Sequence, residues 1–106
     1  MTTFDQREEA FEKKFALDEE QKFKAMARRN KLLGLWIAER IGLTEASAQA
    51  YAREMVAAEV DGGDEGVVRK AMTDLAAKGE AASEDGLRLK MAELLAVAIA
   101  QVKAGT

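Results

Sequence analysis

The chain has 106 residues, a net charge of −3, and no cysteine, histidine or proline. That length supports one domain with a modest core, and a hydrophobic fraction of 48% is too high for a wholly disordered chain. The missing cysteine and histidine exclude disulfides, thiolate chemistry and the common zinc sites, and they remove the usual general base near neutral pH.

The first sixteen residues form a unit of their own. Phe4, Phe11 and Phe15 fall within about 40° of one another on a helical wheel, and charged residues surround them: Asp5, Arg7, Glu8, Glu9, Glu12, Lys13 and Lys14. This is a narrow aromatic stripe on a polar helix. Two fates are open to it. The stripe docks on the chain's own bundle, the commoner outcome for such a pattern, or it enters a groove on a partner. The first residues hold charges from Asp5 onward and no secretory apolar stretch, so a cytoplasmic location is expected.

Asp18, with Gln21 three residues on, predicts a capping box and a helix over 18–41, with Gly42 as its stop. Its second half, around Leu33, Trp36 and Ile37, is core-like. Its first half is charged and is expected to overhang the rest of the fold. Residues 23–43 carry five bases and one acid, against five acids and one base in 44–64. The cluster Lys24, Arg28, Arg29 and Lys31 stands out. Its ordinary reading is a solvated face, and its functional reading is a site for a phosphate-bearing ligand or an acidic partner. One basic stretch between acidic flanks is a poor nucleic-acid footprint. Asn30 lies in line with Leu33 and Ile37, as a buried polar residue that needs partners. Gly34 costs about 1 kcal/mol relative to alanine inside a helix, and close approach of a neighbouring helix is the expected compensation.

Thr44 is expected to cap a second helix over 44–59. Asp61-Gly62-Gly63-Asp64 reads as a turn, and Asp64 as the cap of a third helix over 64–78, before Gly79. Ser83 is expected to cap a fourth helix over 83–103. That helix bears Leu87, Met91, Leu94, Leu95, Ala98 and Val102 on one face and Ala92, Ala96 and Ala100 on another, so it is expected at the centre. Its most apolar run, 91–100, is interrupted by Glu93 and falls short of the ~20 residues of a membrane span. The expected fold is all-α, a four-helix bundle over 17–106 with the helical segment 1–16 added. Leu33, Trp36, Ile37, Met55, Met72, Leu75, Leu94, Leu95 and Ala98 are its expected core.

Two serines, Ser47 and Ser83, stand in no nucleophile-like setting, and no enzyme activity is expected. The runs Phe4-Asp5-x-Arg7-Glu8-x-Ala10-Phe11-Glu12-x-Lys14-Phe15, Asp18-Glu19-Glu20 and Phe23 to Trp36, with Arg28-Arg29-Asn30-Lys31-Leu32-Leu33-Gly34 at its heart, resemble the zeta subunit of α-proteobacterial F-type ATP synthases. The resemblance spans essentially the whole chain and is most specific from Phe4 to Leu43. It implies a four-helix bundle that inhibits ATP hydrolysis, without catalysis or a required cofactor. It also implies an N-terminal segment that wedges into the catalytic head against the central stalk, using Phe4, Arg7, Glu8, Phe11, Glu12, Lys14 and Phe15. This raises the partner-groove reading of the stripe above the other. A monomer, with no membrane insertion, is expected when free. The alternative is a small binding module that takes ADP or ATP as regulatory ligand on Lys24, Arg28, Arg29 and Lys31.

Overall fold

The computed structural model describes residues 17–106. Three helices follow in order: α1 (Glu19–Arg40), α2 (Glu45–Ala77) and α3 (Glu84–Lys103), with no strand among the described residues. The start of α1 is as its sequence predicts. The Gln21 backbone N–H donates to Asp18 Oδ1 at 2.7 Å, and the Asp18 N–H donates to Gln21 Oε1 at 3.2 Å. Gly42, at φ 82°, turns the chain away after the helix. Ser83 caps α3 by accepting from the Gly86 N–H at 3.0 Å. Thr44 holds the cap position of α2 with extended backbone, but its side chain makes no capping bond.

Four helices were expected and three are found, because helical structure runs through the predicted turn at 61–64. Within α2 only Gly63 leaves helical geometry, at φ 64° and ψ −161°. Glycine alone takes such a conformation without steric cost. The consequence is large. The Tyr51 hydroxyl donates to Asp74 Oδ2 at 2.7 Å, whereas 23 residues of straight helix would separate them by roughly 34 Å. The chain therefore reverses at Gly63, and the arms 45–62 and 64–77 lie side by side. A Cβ on Gly66 would stand 2.9 Å from the Ala58 carbonyl oxygen, so the arms close tightly near the turn. Asp64 does not cap the second arm as expected; its carboxylate is spent on Arg29, at 2.8 Å.

The core joins Leu33 and Ile37 of α1, Tyr51, Met55, Val67, Val68, Ala71 and Leu75 of α2, and Leu87 and Met91 of α3. Trp36, Met72 and Leu94 pack against it half-buried, Ala98 is buried, and Leu95 is half-buried outside the cluster. The helix at the centre is α1, not the last one. It packs along both α2 and α3, which scarcely touch each other. Two adjacent lines of α1 are buried, Ala25-Arg29-Leu33 and Asn30-Gly34-Ala38. On α3 the alanines 92, 96 and 100 stay exposed, since a methyl group gains little from burial.

Gly34 is where α1 admits its neighbour: a Cβ there would lie 2.6 Å from the Ala52 Cα. Gly34→Ala gains up to about 1 kcal/mol of helix propensity, but the obstacle is backbone and the helices must part. A net loss of about 1–2 kcal/mol is expected in chemical denaturation, as for overpacked sites. A more stable variant would contradict the close approach.

Candidate functional site

The residues expected to grip a partner, Phe4, Arg7, Glu8, Phe11, Glu12, Lys14 and Phe15, lie outside the described residues. What the structure places is the surface from which that segment departs.

The helices run antiparallel in register. Arg28 of α1 faces Gln101 of α3, while the Trp36 ring lies 5.4 Å from Lys90 Nζ. Arg29 faces Glu59 of α2, and Gly34 faces Ala52. By that register the end of α3 and the turn at Gly63 come level with about the second turn of α1. Its first turn projects beyond them, in keeping with the charged pattern. Phe23, near that edge, is 73% exposed, and Val60, beside the Gly63 turn, 77%.

Between this projecting stretch, the first arm of α2 and the end of the chain lies an open groove of about 600 Å³. Phe23, Ala27, Val56 and Val102 give its apolar surface, and Lys24, Arg28 and Lys31 its charge. It continues past Lys31 and Val56 into a smaller stretch of about 440 Å³ beside Ala52, Arg53 and Ala57. Lys24 pairs with Glu20 at 3.2 Å. The Arg28 guanidinium donates to Gln101 Oε1 at 3.5 Å and to the Thr106 carbonyl oxygen at 2.6 Å. Lys31 has no ion pair among the described residues. Arg53 was not singled out in the sequence, although it is the single base among five acids in 44–64.

Arg29, the fourth cation of the predicted cluster, is not part of the groove. It is 3% exposed and faces the interior. Its guanidinium donates to Asn30 Oδ1 at 2.8 Å and 3.0 Å, to Glu59 Oε2 at 3.2 Å and to Asp64 Oδ1 at 2.8 Å. The signal was in the sequence: Arg29 stands four residues from both Ala25 and Leu33, on the core line of α1. Asn30 is fully buried, with its Oδ1 satisfied and its Nδ2 without a hydrogen-bond partner among the described residues.

Glu59 and Asp64 flank the turn, and their carboxyl groups interact. Burial, and then the neighbouring Asp64, push the Glu59 carboxyl above its ordinary range. The hydrogen bond from Arg29 holds the Asp64 carboxyl below its ordinary range. The signs oppose. Glu59 favours the folded state as pH falls into the carboxylate range, because folding tightens its proton. The contribution of Asp64 is present above its ordinary pKa and is lost as pH falls through its lowered one. Asp64→Asn is expected to flatten the acid limb of a melting-temperature profile, below the ordinary aspartate range, relative to the parent. An unchanged acid limb would remove Asp64 as its source.

Among the described residues no group of carboxylates could hold a metal ion, and no helix is long and apolar enough to cross a membrane. A family model described as ATPase inhibitor subunit zeta matches residues 1–101. No curated protein matches the chain.

Proposed function

The chain belongs to the ATPase inhibitor subunit zeta family, and from that premise we propose that it restrains ATP hydrolysis by an F-type ATP synthase, with segment 1–16 as effector and the helical body as holder. A subunit of this family is a regulatory protein and not an enzyme. The observation that carries the proposal is the extent of the match: it takes in the aromatic segment together with nearly the whole helical body.

The effector is the stripe Phe4, Phe11 and Phe15, flanked by Arg7, Glu8, Glu12 and Lys14. It enters a cleft of the catalytic head beside the central stalk. A few aromatic anchors supply the binding energy, and the flanking charges supply register. Such an inhibitor halts a catalytic cycle only if it prefers one state of the cleft over the others. The capping box at Asp18 supports the division of labour, because the two bonds that open α1 are both made between Asp18 and Gln21. The two arms of α2 count as two rods, so the holder is a four-helix bundle in its packing. It works as a monomer in the cytoplasm of an α-proteobacterium, at the inner face of the membrane when bound. The test is ATP hydrolysis by the cognate synthase head with and without the protein. A fall in rate is expected, and an unchanged rate at saturating protein would overturn the proposal.

A second reading keeps some support, because Lys24, Arg28 and Lys31 line one groove. ADP or ATP would sit there as regulatory ligand, without Arg29. Amide resonances of the groove that stay still at millimolar ADP would remove it.

A further inference from the structure

We propose that the groove beside Phe23 is the resting site of the chain's own segment 1–16, so that the inhibitor covers its aromatic stripe until the synthase competes for it. The docking stands on the groove itself; only its regulatory meaning rests on the function proposed above.

Among the described residues nothing fills the groove. An aromatic ring 73% exposed, beside Val56 and Val102, leaves apolar surface in water. Its rim on the α1 side is a line of cations, Lys24, Arg28 and Lys31, at steps of four and three residues along one helix face. The occupant must therefore offer an apolar ridge with acids along one side.

Segment 1–16 has that pattern. Written as a helix, Phe4, Phe11 and Phe15 form the ridge. Glu8, Glu12 and Asp5 follow on one side of it, and Arg7 and Lys14 lie on the other. With the ridge on the groove floor, the acidic side can face the α1 cations. The lengths agree: Phe4 to Phe15 spans about 16 Å as a helix, and Gln21 to Lys31 of α1 about 15 Å. The point of attachment agrees too. The groove opens at the start of α1, at Gln21 and Phe23, a few residues after the segment ends. Asp18 is extended, with ψ 176°, so the chain before it does not continue the axis of α1. A segment tethered this closely meets the groove at an effective concentration of order millimolar, so even weak contacts keep it docked.

The consequence follows from competition. Only the released segment can bind the synthase, so docking lowers the apparent affinity by the released fraction. Freeing the segment should make inhibition roughly three- to ten-fold tighter.

The chain has no cysteine, so a nitroxide on Gln6→Cys is a unique label, and position 6 points away from the aromatic ridge. In the dilute full chain, the label should broaden the amide resonances of Lys24, Ala27, Arg28, Val56 and Val102 while sparing Gly42 and Ala81 at the far end. Lys24→Glu together with Lys31→Glu should remove the broadening, and Glu8→Lys with Glu12→Lys in that background should restore it. The proposal is overturned if the groove amides stay sharp, if both ends broaden alike, or if broadening grows with concentration, which would assign the groove to a second copy. The ATPase assay separates the two ideas. Broadening without inhibition would leave the docking standing and sink the function. Weaker inhibition by the Lys24/Lys31 variant, instead of tighter, would refute the competition and make the groove a contact with the synthase.

Discussion

Deleting residues 1–16 is expected to abolish inhibition of ATP hydrolysis while leaving the helical body folded. The body carries its own start: Asp18 and Gln21 cap α1 with two reciprocal bonds. Among the described residues the core cluster runs from Leu33 to Met91. Circular dichroism should show a cooperative melt for the truncated chain, lowered by at most a few degrees if the segment had covered the groove at Phe23. Inhibition should vanish, because Phe4, Phe11 and Phe15 leave with the segment. Phe11→Ala tests the central anchor by itself. Such an anchor is commonly worth about 2 kcal/mol, or roughly thirty-fold in affinity. A truncated body that inhibits as well as the full chain would refute the segment as effector. One that fails to fold would make the stripe part of the core.

Arg29→Ala is expected to cost about 3 kcal/mol of stability. The substitution removes a guanidinium that is 96% buried as a side chain. It leaves the carboxyls of Glu59 and Asp64 facing each other without their common cation, and Asn30 Oδ1 without its donor. Breaking a buried pair on one side typically costs 3–5 kcal/mol. The lower figure applies here, because the side chain of Asp64 is 49% exposed and water can take over part of its charge. For a body of this size the melting temperature should fall by roughly 12 °C or more. Arg29→Met, which refills the volume, should recover part of the loss, mainly when combined with Glu59→Gln and Asp64→Asn. A loss below about half a kcal/mol for Arg29→Ala would mean that Arg29 is a surface residue.

Arg29 also marks the boundary of what could be read in advance. In a row of four cations its ordinary reading was a solvated charge and its functional reading a ligand-facing one, yet it ties α1 to the Gly63 turn. A charge is read as solvated by default because burial is costly without partners, and its partners here stand 30 and 35 residues away. Nothing local announces them. The same distance hid the role of Asp64, which reads as a helix cap from its neighbours and serves as a counter-ion in the fold.

What the sequence determined by itself is what short-range physics governs. The capping box at Asp18, the stop at Gly42 and the cap at Ser83 each rest on groups within a few residues, and each stands in the structure as expected. Absent proline and the apolar periodicity settled the all-helical class, and Gly34 announced a close helix contact that Ala52 supplies. The family could be read as well, because the run around Arg28 to Gly34 is specific as a string of letters. Tertiary structure alone decided which helix is central. Apolar composition favoured α3, but the choice depends on which faces find partners, and the alanines of α3 gain too little from burial to compete with Leu33, Ile37 and the notch at Gly34. It also decided that the chain doubles back at Gly63, that Arg29 meets Glu59 and Asp64 there, and that Lys24, Arg28 and Lys31 share a groove with Phe23. Those outcomes join residues far apart in the chain, and only packing brings such residues together.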